Sequence, residues 1–328
     1  MNSSGASSTR DMALGYDIHL SSAVPAQRVS LRPVMANRLL LDTSSLMFRA
    51  FFSMPATVKA PDGRPINAVH GYLDMTASLI GSRSPDEIVH VYDDDWRPAP
   101  RVAVYDGYKA NRPPDPEGLP EQFDILREAL DAFGMSQAEA PGWEAEDAIG
   151  TLCAAARPRD RVDIVTGDRD LIQLVRDPEV RVLFTLRGVS ELRVLDEAGV
   201  LEKYGVPASR YAEFAILRGD PSDGLPGVRG VGEKTARLLV NTYGSLDDLL
   251  ADAEAPKRKG PPLQRSPSLR AAVRESALYI RKMQEIVPIR TDLELRAWKA
   301  EPDEGRVEQV AERFALKGPV RRLRQALG

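Results

Sequence analysis

The most constraining feature of this chain is a set of short apolar runs that each end in acid. RLLLD stops at Asp42, EIVHVY runs into Asp93, Asp94 and Asp95, and VDIVT leads through Gly167 to Asp168 and Asp170. Apolar runs without polar alternation fit strands buried on both faces, the signature of a parallel sheet covered by helices. The pattern predicts strands over 38–42, 87–93, 162–166 and 180–186, with helices over 68–80, 119–133, 145–155 and 171–175. Parallel strands point the same way, so their terminal carboxylates emerge along one edge, where open α/β sheets carry their functional groups.

More carboxylates join this set. Glu144, Glu146 and Asp147 open a predicted helix in PGWEAEDAIG, and Asp220 and Asp223 lie in RGDPSDGLPG. Taken singly, an Asp at a strand-to-helix junction is an ordinary N-cap, and for Asp42 and Asp168 that reading competes. Taken together, so many carboxylates at one edge repel one another and require compensating charge. Oxygen-only donors suit Mg²⁺ or Mn²⁺ rather than zinc. The three His, at 19, 70 and 90, have no zinc-site spacing, and a lone Cys153 builds neither a zinc cage nor an internal disulfide. Such a site can hold two cations about 4 Å apart, the arrangement that hydrolyses phosphodiesters.

Charge divides the chain. Residues 1–205 carry 22 Lys and Arg against 31 Asp and Glu, whereas 206–328 carry 22 against 17. Strand-like patterning stops near 205 and gives way to helices separated by Gly- and Pro-rich turns. The expected organisation is a disordered leader over 1–36, a core over 37–205 and a mainly helical domain over 206–328. No apolar run approaches the ~18 residues of a membrane span, the leader has no continuous apolar stretch of a secretion signal, and the cysteine count fits a reducing cytoplasm. In the basic half, LPGVRGVGEKTAR (225–237) reads as a hairpin between helices: Gly230 and Gly232 allow close backbone approach, and Lys234, Thr235 and Arg237 sit at a helix start suited to phosphate. The competing reading is a tight αα-turn that needs glycine for geometry alone.

These motifs, together with LLLDTSSLMFRAFF, INAVHGYL, GYKANRP and TGDRDLIQLV, resemble the 5′-nuclease family: the exonuclease domain of bacterial DNA polymerase I, its free-standing relatives and the flap endonucleases. The resemblance covers about 38–295 and implies an α/β fold, with a parallel central sheet flanked by helices as a PIN-like or resolvase-like nuclease core, and a helical C-terminal domain with a helix-hairpin-helix. It implies metal-dependent 5′–3′ exonuclease and flap endonuclease action on DNA flaps, nicks and 5′ ends, with RNA–DNA hybrids as further substrates, by a monomer. Asp42, Asp93, Glu144, Glu146 and Asp147 would support a first Mg²⁺ or Mn²⁺; Asp168, Asp170, Asp220 and Asp223 would shape a second, and a K⁺ would bridge the hairpin to phosphate. The segment 96–120 would be an arch over the site, partly disordered until a 5′ strand threads it, with Lys109 and Arg112 as phosphate contacts and Trp96, Tyr105 and Tyr108 as stacking surfaces. Arg49 would meet the scissile phosphate or the terminal base pair. Two departures stand out: Glu146 replaces the first Asp of the usual EADD, and YDDDWRPAPR lacks the usual basic residue after the second Asp, leaving Arg97 or Arg101 to replace it. Register leaves both Asp93 and Asp94 as candidate ligands. The competing functions are a PIN-like endoribonuclease and a catalytically inactive DNA-structure-binding protein.

Overall fold

The first strand, β1 (Asn37–Asp42), shows why these apolar runs lack alternation: Leu39 and Leu41 enter one hydrophobic layer and Leu40 the other. A computed structural model describes residues 36–256 and 260–328. The predicted leader, apart from Ala36, and residues 257–259 lie outside the described residues. From β1 the chain continues through α1 (Thr43–Ser53), α2 (Asn67–Arg83), β2 (Glu87–Tyr92), α3 (Ala99–Val104), α4 (Pro120–Ala132) and β3 (Ser136–Glu139). Next come α5 (Ala145–Ala154), β4 (Arg161–Thr166), β5 (Val180–Arg187), β6 (Glu191–Leu195) and α6 (Glu197–Tyr204). Helices α7 (Tyr211–Arg218), α8 (Glu233–Thr242), α9 (Leu246–Glu254), α10 (Pro262–Arg265), α11 (Pro267–Glu275) and α12 (Ala277–Ile286) follow. The chain then adds β7 (Arg296–Trp298), α13 (Glu304–Arg313) and α14 (Lys317–Leu327).

The sheet order is β6-β5-β4-β1-β2-β3-β7. Strands β1 to β5 are mutually parallel, as expected, but both edges are antiparallel: β6 on β5 and β7 on β3. The sheet is therefore mixed. Successive connections run from β1 toward β2 on one side and from β4 toward β5 on the other, so the order reverses at β1. That reversal opens the crevice in which doubly wound sheets place their sites.

Three strands escape the sequence reading, and so does α1, which occupies what reads as a turn after Asp42. The predicted helix at 171–175 is a single 3₁₀ turn, Asp170–Leu174. Two of the last elements return to the front of the chain. Strand β7 closes the β3 edge, and α14 lies against α2, with Val320 and Leu323 buried in the same layer as Tyr72 and Leu73. A fully buried Leu such as Leu323 contributes about 2 kcal/mol to that docking. Among the described residues no helix is long and apolar enough to cross a membrane.

Candidate active site

Asp42 ends β1 and caps α1: its Oδ1 accepts the Ser45 N–H at 3.1 Å. The register sets Leu41 beside Val165 of β4, so Thr166 stands level with Asp42 and donates its hydroxyl to Asp42 Oδ2 at 2.6 Å. The capping reading of Asp42 therefore holds, and the same carboxylate also faces Asp93 and Asp168. Burial, reinforced by the nearby Asp93 and Asp168, pushes the Asp42 carboxyl up to about 7 despite the Thr166 bond. Asp93 follows β2 and accepts the Ala145 N–H at 2.7 Å. Burial raises its pKa too, with repulsion from Glu144 adding to the effect. Asp94 turns the other way, to the Gly142 N–H at 2.7 Å and to Arg296 at 3.0 Å. Of the two register candidates, Asp93 is the one in electrostatic contact with Asp42.

Three buried carboxylates at the start of α5, those of Glu144, Glu146 and Asp147, bring one oxygen each within 4.8 Å of one another. Burial and the repulsion of Glu144 raise the Glu146 pKa well above the usual range. Asp147 Oδ1 accepts from Arg101 at 2.8 Å and from the Arg290 N–H at 2.9 Å, while Oδ2 is buried without a hydrogen-bond partner among the described residues. An oxygen-only cluster with an unpaired buried oxygen fits a hard divalent cation. Two basic side chains also reach it. Arg101 meets Glu144, Glu146 and Asp147 at 2.7, 2.9 and 2.8 Å, and Lys109 pairs with Glu144. Burial alone would favour a depressed Lys109 pKa, but Glu144 and Asp223 hold it above its ordinary value.

Asp168 and Asp170 follow β4. The Asp168 N–H donates to Thr166 Oγ1 at 2.8 Å and the Asp170 N–H to Asp168 Oδ1 at 2.9 Å. Burial raises the Asp170 pKa well above the usual range, and Asp168, Asp223 and Asp220 add to it. The last two belong to the loop after α7. Asp220 accepts from the Ser222 N–H at 3.0 Å and from Arg218 at 3.3 Å, and Asp223 lies 3.9 Å from Lys109 and 3.7 Å from Arg112. Backbone contact joins this loop to the 96–120 segment: the Lys109 N–H donates to the Asp223 carbonyl at 2.9 Å. Gly224, at φ +72°, makes that approach possible, because a Cβ there would lie 2.4 Å from the Gly107 carbonyl oxygen.

The loop continues into the hairpin between α7 and α8. Gly230 takes φ +76°, and Gly232 caps α8 without a side chain, leaving the N–H groups of the first turn open beside exposed Lys234. Thr235 is half-buried, and Arg237 pairs with Glu233 at 2.9 Å.

Comparison with known proteins adds the deciding observation. Residues 37–205 match the family model described as 5′-3′ exonuclease, N-terminal resolvase-like domain, and 206–311 match 5′-3′ exonuclease, C-terminal SAM fold. The chain belongs to the 5′-3′ exonuclease family. A 5′-3′ exonuclease of Mycobacterium tuberculosis is 42% identical over 314 residues, covering 88% of this chain and 97% of that protein. One of Streptomyces coelicolor is 43% identical over 302 residues, covering 87% and 98%. The fold is also that of the bacteriophage T5 D15 flap endonuclease solved with DNA and metal ions, at TM-score 0.60 and 18% identity over 89% of this chain and 98% of that one.

Within this 5′-3′ exonuclease, the side chains expected to meet DNA fall into two groups. Arg101 and Lys109 are 2% and 4% exposed and face the carboxylates. Arg97 donates inside its own segment, to the carbonyls of Tyr108 and Asp106, both at 2.7 Å. Of Arg97 and Arg101, it is Arg101 that faces the carboxylates. Arg49 packs across the end of β5, donating to the carbonyls of Thr185 and Leu186 at 3.3 and 3.4 Å, while Arg112 stays partly exposed over Trp96. The segment expected to be partly disordered forms α3 and a chain of turns, with its two buried cations tied to Glu144, Glu146, Asp147 and Asp223. No single helix spans it, since Pro113, Pro114 and Pro116 interrupt the backbone hydrogen bonding, and Pro120 opens α4. Tyr108 is buried and donates to Glu144 at 2.7 Å instead of offering a stacking face. Thr166 and Ser45, both bound to Asp42, were not among the residues singled out from the sequence, although a hydroxyl ending an apolar strand next to an acid-ended one was a readable signal.

Proposed function

We propose that the chain is a structure-specific 5′ nuclease, acting as a 5′–3′ exonuclease and flap endonuclease on DNA flaps, nicks and 5′ ends, with RNA–DNA hybrids as additional substrates. The observation that carries this is the convergence of carboxylates from β1, β2, α5, β4 and the post-α7 loop at the sheet's switch point, beside a helix-hairpin-helix. Asp42, Asp93, Glu144, Glu146 and Asp147 would hold one divalent cation, Mg²⁺ or Mn²⁺, and Asp168, Asp170, Asp220 and Asp223 a second. When bound, such ions lower the pKa of water and stabilise the leaving oxygen. Thr166 and Ser45 fix the Asp42 carboxylate, and the Ala145 N–H fixes Asp93. Lys109 supplies a cation at the scissile phosphate, and Arg49 and Arg112 line its approach.

Downstream duplex would rest on the open N–H groups of α8 with Lys234, Thr235 and Arg237, in contacts that grip phosphate without reading bases; a K⁺ at Gly230–Gly232 would complete that grip. The organisation inferred is a core over 37–205 and a DNA-binding domain over 206–328, in a cytoplasmic monomer. The test uses end-labelled flap, nicked and blunt duplexes and single-stranded RNA, with Mg²⁺, Mn²⁺ or chelator. Metal-dependent 5′-end products that vanish in Asp168→Asn, with DNA binding retained, are expected. Cleavage of the RNA alone, or no metal-dependent cleavage, overturns the reading.

A further inference from the structure

The cluster at the start of α5 holds a cation of its own. Arg101 is almost fully buried and reaches three carboxylates at once, in the short range of charge-assisted bonds. Its guanidinium is flanked by the rings of Tyr108 and Trp143, with centroids at 5.6 and 5.8 Å. Burial opposes its charge, but Glu146, Tyr108, Asp147 and Glu144 more than restore it. Each carboxylate that could share a divalent cation thus already gives one oxygen to Arg101. A dication bound by these three carboxylates would lie close to the guanidinium that already pairs with each of them, and like charges repel strongly in a site shielded from water. The two cations therefore compete for the same three carboxylates. Glu146 matters here, because its extra methylene over Asp brings an oxygen to 2.9 Å from Arg101 and makes the third pair.

We propose that Arg101 is a positioning residue that serves as the internal counter-cation of Glu144, Glu146 and Asp147, and that a divalent cation displaces it and frees α3. This deepens, and rests on, the metal-site reading above. Without metal, Arg101 keeps the carboxylates from driving one another apart and seals the 96–120 segment over them. With metal, the segment loses its main inward tie while Lys109 retains its backbone bond to Asp223. Metal occupancy and freedom of this segment are therefore coupled before any DNA arrives.

The test uses the full chain without DNA. Ca²⁺ or Mn²⁺ is titrated calorimetrically while hydrogen exchange is followed over 97–112, in the wild type, Arg101→Gln and Arg101→Lys. In the wild type, metal should speed exchange across Ala99–Val104 with no loss of protection in β1 or β4. Arg101→Gln should bind metal about tenfold more tightly because no cation has to leave, and Arg101→Lys should return toward wild-type affinity. If metal binds the wild type without changing exchange over Ala99–Val104, Arg101 is a fixed structural partner and the inference falls, whatever the fate of Arg101→Gln. Unchanged or weaker metal binding by a folded Arg101→Gln sinks it equally. Failure of the wild type to bind either metal removes the metal-site reading itself, a different result from the other two.

Discussion

The 96–120 segment and the 225–237 hairpin carry the same kinds of basic residue and face opposite ways. In the first, Arg101 and Lys109 are buried among acids; in the second, Lys234 is exposed and the α8 N-terminus is open. Local composition does not explain this. What differs is the neighbourhood: the first segment crosses an edge where several buried carboxylates lack compensation, and the second lies on helices whose acids are already solvated or paired. A cation goes where charge is hardest to leave unmatched. One region is thus suited to chemistry and the other to grip.

Substitutions can break that division. The largest effect is expected from Lys109→Met, which should cut single-turnover cleavage by about 10²–10³-fold, the usual loss of one preorganised charge, while leaving DNA Kd within about threefold by the same argument. Rapid-quench cleavage beside fluorescence anisotropy measures both. The double variant Lys234→Ala, Arg237→Ala should do the reverse: turnover at saturating DNA unchanged, binding weaker by about tenfold, and the salt dependence of log Kd shallower by about 2, roughly one for each phosphate left without its basic partner. If the hairpin variant slows the chemical step as much as Lys109→Met does, the two regions are not separate in function.

The smallest effect sharpens the acidic side alone. Asp42 sits at about 7 in the folded metal-free protein against an ordinary 3.8, and Asp93, Glu146, Asp170 and Asp223 are raised as well. A carboxyl that holds its proton more tightly when folded stabilises the protein below the unfolded value and loses that contribution as pH rises through the folded one. In chelator, Tm should therefore decline by roughly 5 °C between pH 5 and 8, and saturating Mg²⁺ should remove most of the decline. A flat chelator profile would mean that these carboxyls are not shielded as the structure has them.

Legibility in the sequence followed burial. Strands β1, β2, β4 and β5 were readable because both of their faces are covered by apolar layers, and their terminal acids followed directly. Strand β3, SQAE, was not readable, because its buried side chains are polar and satisfied in tertiary contacts: Gln137 accepts from Tyr92 at 2.8 Å, and Glu139 pairs with Arg127 at 2.9 Å. β7 has three residues, too few for any period to show. In the site, residue identities were legible and their directions were not. Nothing local to YDDD separates Asp93 from Asp94, since the choice depends on Arg296, some two hundred positions along. The inward turn of Arg101 likewise depends on α5, more than forty residues away.

The return of β7 and α14 to the first layers has a consequence for the order of manufacture. The β3 edge emerges from the ribosome with residue 139, yet Trp298, which pairs beside it, follows 159 positions later. At ordinary synthesis rates the nascent chain carries that open edge for roughly ten to thirty seconds and the bare face of α2 for roughly ten to fifty. The core is therefore exposed to misassociation for longest on the side away from β6, and a holdase would find its binding surface there until residues 296–327 arrive.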